Sequence, residues 1–75
     1  VNRPAAAPPP ARSHRTEPPP IRLLIVDDSA VARAVLSRML TSQPGFEIAA
    51  TAATAAEAVE LLARVRVDIV LLDLE

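Results

Sequence analysis

Apolar residues follow two alternating rhythms along this chain. Leu23-Leu24-Ile25-Val26 is an unbroken aliphatic run that stops abruptly at Asp27-Asp28-Ser29. A short run of this kind, bounded by polar residues, suits a strand covered on both faces, as in parallel sheets. It predicts a strand over residues 21–26 and then a helix capped by Ser29 or Asp28. From residue 30 to about 42 the rhythm changes. Val31, Val35, Leu36, Met39 and Leu40 recur at helical spacing, with Arg33, Ser37 and Arg38 outside the stripe. Gln43-Pro44-Gly45 then stops the helix and turns the chain. Residues 46–50 read as a short strand with Phe46, Ile48 and Ala50 on one face. Thr54 and Glu57 have the spacing of a capping box. They open a second helix, from residue 55 to about 65, with Ala55, Ala58, Val59, Leu62 and Ala63 inward and Glu60/Arg64 as an i,i+4 pair. Residues 67–73 predict a third strand, apolar on both faces and ending in Asp73.

The order β-α-β-α-β implies an α/β fold with a parallel, doubly wound sheet and right-handed crossovers. When the first and third strands are neighbours in such a sheet, their carboxyl ends form a switch point where ligands bind. Asp27 and Asp28 end one of those strands and Asp73 the other.

Composition limits how much of the chain can contribute to this fold. Seven of the eight prolines lie in residues 1–20, a Pro/Ala/Arg-rich segment expected to be an extended, disordered leader. It has neither the apolar core of a secretory signal nor the pattern of a specific proline-rich ligand. Residues 21–75 must supply the core, near the lower size limit for independent folding. There is no cysteine, and the one histidine, His14, lies in the leader. All eight basic residues are arginine. Residues 21–75 carry a net charge of −3, with Phe46 as the single aromatic. An acidic domain without a basic stripe argues against nucleic acid, and no apolar run approaches membrane-spanning length.

Three converging carboxylates repel one another unless a cation resolves the conflict. With no Cys or His nearby, all-oxygen ligation suits Mg2+ rather than zinc. Beside such a cation a carboxylate can attack phosphorus and form an acyl phosphate. A single strand-end aspartate is most simply a solvated loop residue. An adjacent pair plus a second strand-end acid in this frame favours a site.

The motifs LLIVDDS (residues 23–29) and DIVLLDLE (residues 68–75) resemble the first half of a response-regulator receiver domain. The intervening SRMLTSQPGFEIAATAATAAEAVELL is similar to the chemotaxis protein-glutamate methylesterase branch of that family, with its Gln-Pro-Gly turn and Ala-Thr-Ala after the second strand. The resemblance implies an incomplete doubly wound (flavodoxin-like) parallel sheet in a cytoplasmic, chemotaxis-type two-component protein. Asp73 would be the phosphoacceptor, served by a histidine kinase, with other receiver domains as further partners. Asp28 would bind Mg2+ directly, Asp27 would support the ion, and Glu75 would contribute its backbone carbonyl or terminal carboxylate.

Against the family pattern, the sequence lacks a fourth strand with its hydroxyl residue and a fifth with its lysine. No Ser-His-Asp set for a methylesterase is present either. The expectation is a receiver fragment, not itself an enzyme, that is inactive or weakly active. One alternative is an interaction module pairing through its exposed third strand with a receiver partner. Another is the start of a full protein-glutamate methylesterase.

Overall fold

The strand over Ile21–Asp27 (β1) lies at the centre of the sheet, and its burial follows from that position. Leu24, Ile25 and Val26 have no exposed surface, and Leu23 and Asp27 retain only 2% and 3%. The computed structural model describes residues 18–74. Apart from Pro18, Pro19 and Pro20, which are exposed and without regular structure, the expected leader lies outside the described residues, as does Glu75. Four further elements follow β1: α1 (Ala30–Thr41), β2 (Phe46–Ala52), α2 (Ala55–Leu62) and β3 (Ile69–Asp73). The sheet is three-stranded and all parallel, in the order β2-β1-β3. The doubly wound α/β class expected from the apolar rhythm is therefore the observed one.

Alternation along β1 divides the core between two faces. Leu24 and Val26 pack with Ala52 of β2 and Ala58 of α2, joined by Ala50, Leu61 and Val67. Leu23, Ile25 and Asp27 point to the opposite face, where α1 lies against β1 and β2. Right-handed crossovers to either side of β1 require one helix per face. Each fully buried aliphatic side chain of β1 contributes about 1.5–3 kcal/mol. This one strand holds most of the buried apolar residues.

Several expected boundaries and faces are corrected. β2 continues two residues beyond Ala50 and carries a bulge, since Leu23 pairs with Ile48 but Leu24 pairs with Ala50. Ala49 is the extra residue. β3 begins at Ile69 and not at Val67. Val67 packs on the core, and Asp68 is tied to β1 through both its amide and its carboxylate. α2 ends at Leu62, followed by a turn in which the Arg64 and Val65 amides donate to the Leu61 carbonyl.

Both helices bury only part of their expected faces: Leu36, Leu40 and Ala58 turn inward as expected, and the rest do not. On α1, Val31 (74%), Val35 (50%) and Met39 (58%) are exposed, whereas Ala32, Leu36 and Leu40 are half-buried. The chain offers two parallel i+4 ridges, and a three-stranded sheet covers only one of them. On α2, Ala58 is buried and Leu61 packs beside it, whereas Ala55, Val59, Leu62 and Ala63 are exposed. The small Ala58 side chain lets the helix approach Ala52 closely.

The turns behave as their residues dictate. Gly45 has φ 92°, a conformation that side chains rarely adopt, and its carbonyl accepts from the Ile21 amide at 2.8 Å. Thr54 caps α2 by accepting from the Glu57 amide at 3.1 Å. Glu57 reaches back to the Ala53 amide at 2.8 Å, one residue earlier than in the usual capping box. Glu60 and Arg64 pair at 4.0 Å on the surface, as expected.

Candidate functional site

The carboxyl ends of β1 and β3 meet at the switch point of the sheet. β1 to β2 runs to one side, the next crossover passes to the other, and the crevice lies between β1 and β3. The β1–β3 register pairs Asp27 directly with Asp73. Paired residues of neighbouring parallel strands share a face about 4.8 Å apart, so both acids lie on the α1 side of the sheet.

The environments of the three acids differ. Asp27 is buried, and its Oδ1 accepts from the Ser29 amide at 2.9 Å. Ser29 is also the N-cap of α1, its Oγ accepting from the Ala32 amide at 3.2 Å. Asp28, between them, is exposed, and so is Asp73 at the end of β3. The expected convergence of three carboxylates is not formed. Among the described residues, no three acidic or metal-ligating side chains gather closely enough to hold an ion. Asp27 is drawn into the β1–α1 turn by the Ser29 amide. The chemistry of the donor set still fits Mg2+, being wholly carboxylate oxygen on adjacent strand ends. Glu75 lies outside the described residues.

Arg33 is the participant that sequence reading missed. It is assigned above to the polar side of α1, yet it is half-buried and donates from Nη1 to the Asp27 carbonyl at 2.7 Å. The available signal was spacing. Arg33 sits one turn beyond the Ser29 cap, its own amide bonded to the Ser29 carbonyl. Helical side chains lean toward the N-terminus, here toward the acid pair.

A second polar cluster closes the opposite, amino-terminal end of the sheet. The Arg22 amide donates to Asp68 Oδ2 at 2.8 Å, and the Asp68 amide donates back to the Arg22 carbonyl at 2.8 Å. Arg22 Nε donates to the Arg66 carbonyl at 2.7 Å, while its Nη1 pairs with Glu47 at 3.1 Å. The Arg22 amide holds the Asp68 carboxyl below the usual aspartate value, partly opposed by desolvation and aided by the Arg66 and Arg22 guanidiniums. This cluster ties the three strands together, away from the acids.

An open parallel α/β sheet with acids at the ends of its two switch-point strands defines a class: doubly wound proteins whose chemistry lies at that edge. The match is specific. The response regulator receiver domain matches residues 23–75, and the chain belongs to that family. It is 40% identical over 60 residues to a protein-glutamate methylesterase/protein-glutamine glutaminase of Rhodopseudomonas palustris (strain HaA2), covering 80% of this chain and 16% of that protein. A protein of the same description from Geobacter metallireducens is 46% identical over 54 residues, covering 72% and 16%. One from Xanthomonas campestris pv. campestris is 45% identical over 56 residues, covering 75% and 16%. The chain thus spans about one sixth of the length of these relatives. None of the solved structures matches it. No helix among the described residues is long and apolar enough to cross a membrane.

Proposed function

We propose that this chain is the phosphoacceptor region of a cytoplasmic, chemotaxis-type two-component protein, of the kind carried by protein-glutamate methylesterases. Asp73 is the nucleophile. Its carboxylate oxygen attacks the phosphorus of a phosphohistidine on a histidine kinase. The N–P bond breaks, its electron pair remains on the imidazole nitrogen, which takes up a proton, and Asp73 becomes an acyl phosphate. Asp27, Asp28, Asp73 and the carbonyl or carboxylate of Glu75 would hold Mg2+, which supplies positive charge against the phosphoryl oxygens. Asp28, exposed and free of the turn's hydrogen bonds, would be the direct ligand, and the buried Asp27 would support the ion.

The observation that carries this reading is the register that pairs Asp27 with Asp73. It brings Asp73 and the acid pair to one end of the sheet. The test is incubation of the chain with a small phosphodonor, with and without Mg2+, with the product followed by phosphate-affinity electrophoresis. The expected result is slow labelling that requires Mg2+ and is lost in Asp73→Asn. Labelling unchanged in that variant would contradict the proposal.

A second reading rests on a different observation, the exposure of β3 along its whole length. Among the described residues its outer edge pairs with no strand, which suits pairing with another receiver domain, a second copy of this chain being the simplest partner.

A further inference from the structure

We propose that Arg33 is a positioning residue for the acid pair: its guanidinium fixes the Asp27–Asp28 peptide and thereby sets where the Asp28 carboxylate stands. The inference rests on the proposed metal-binding role of Asp28.

Four bonds form a closed loop around the β1–α1 turn. The Ser29 amide donates to Asp27 Oδ1 at 2.9 Å, and the Ser29 Oγ accepts from the Ala32 amide at 3.2 Å. The Arg33 amide donates to the Ser29 carbonyl at 3.0 Å, and the Arg33 side chain returns to the Asp27 carbonyl at 2.7 Å. Asp27 is therefore held at both its side chain and its backbone, and the only residue between these anchors is Asp28. The Asp27 carbonyl belongs to the same peptide plane as the Asp28 amide, so fixing its direction fixes where the Asp28 Cα stands. With Ser29 held on the other side, the backbone torsions of Asp28, and with them the direction of its side chain, are restricted. Asp28 itself makes none of the turn's bonds. Its placement is inherited from Arg33 and Ser29.

Two other roles for the guanidinium are weaker. As a solvated surface charge it would not be half-buried on a backbone carbonyl. Among the described residues it makes no ion pair with a carboxylate, so it is not a counter-charge that neutralises one acid. Arginine suits the anchoring task because its planar fork is pre-organised and stays charged.

Positioning and simple electrostatics predict opposite signs. Removing a positive charge near a cation site strengthens Mg2+ binding by Coulomb's law alone. Removing an anchor weakens it, by about 10-fold or more for a partner that orients a ligand. The experiment measures Mg2+ affinity by titration calorimetry for the chain and for Arg33→Ala, Arg33→Lys and Arg38→Ala. Amide hydrogen exchange at Ser29 is followed in metal-free samples of each. Alanine is a better helix former than arginine, so α1 is retained. Arg38, in the last turn of α1, controls for charge.

The expected result is an Arg33→Ala chain that binds Mg2+ about 10-fold or more weakly, with faster exchange at Ser29. Arg33→Lys recovers part of both, and Arg38→Ala changes neither. Unchanged or tighter binding in Arg33→Ala, or unchanged Ser29 exchange, overturns the proposal. If the unsubstituted chain binds no Mg2+, the metal reading fails, and Ser29 exchange alone decides whether Arg33 fixes the turn.

Discussion

Asp68 and Asp27 show how differently two aspartates in one small sheet can be used. Asp68 is a clasp: the Arg22 amide and the Arg66 guanidinium favour its charged form, and its own amide joins β3 to β1. A carboxyl whose value is depressed in the folded state contributes stability above its unfolded value, here 3.8, and loses it as pH falls through the lower folded value. Asp68→Asn keeps an oxygen for the Arg22 amide but cannot titrate. Urea midpoints taken from about pH 5 to about pH 3 should therefore fall more steeply for the unsubstituted chain than for this variant. Parallel slopes would show that the clasp does not favour the carboxylate. Asp27 is instead drawn into a turn, where its burial depends on one amide bond and on the strand it ends. Arg33 reads as a polar-face residue because apolar periodicity sorts side chains only into inward and outward. A polar residue tied to a backbone carbonyl leaves no mark in that pattern.

The helices succeed through their ends more than through their faces. Thr54 was legible as a cap and the first helix's cap was narrowed to Ser29 or Asp28, of which Ser29 takes it; each hydroxyl accepts an amide of the first turn. Replacing Thr54 by alanine removes its bond to the Glu57 amide and should cost about 1 kcal/mol in a denaturant titration. No loss would mean that Glu57, through the Ala53 amide, holds the helix start alone. The faces were less legible. Val31, Val35 and Met39 form as good a ridge as Ala32, Leu36 and Leu40, and hydrophobicity favours the larger side chains. The observed orientation places Arg33 against the Asp27 carbonyl and leaves the bulkier ridge outside. On α2 the expected Ala58 is the one that is buried, packing with Ala52 of β2; that Val59 and Leu62 stay exposed is visible only once the two elements are juxtaposed. β3 was legible as a strand but not in its start, because Asp68 serves as a clasp before the ladder begins.

At the scale of the molecule, the fold is one buried strand with everything else arranged around it. Leu23-Leu24-Ile25-Val26 announced that strand because a run apolar at every position has no solvent face to offer. With the order β2-β1-β3, two right-handed crossovers put the helices on opposite faces. Among the described residues β3 pairs on one side only, and its Leu72 is 65% accessible. If that edge is open in the chain, association is concentration-dependent and weakened by Leu72→Lys, as sedimentation velocity would register. Association unaffected by the lysine would place the contact elsewhere, with the exposed ridge of α1 as the next surface to substitute.

The β1–β3 register sets Asp73, the proposed nucleophile, beside Asp27 at one end of the sheet. The claim that Asp73 is the phosphoacceptor is tested most directly by trapping the acyl phosphate. After exposure to a phosphodonor with Mg2+, the chain is reduced with borohydride and mapped by peptide mass spectrometry. Conversion of Asp73 alone to homoserine is the predicted result. Conversion at Asp27 or Asp28, or at no aspartate in a chain that is folded and binds Mg2+, would contradict it.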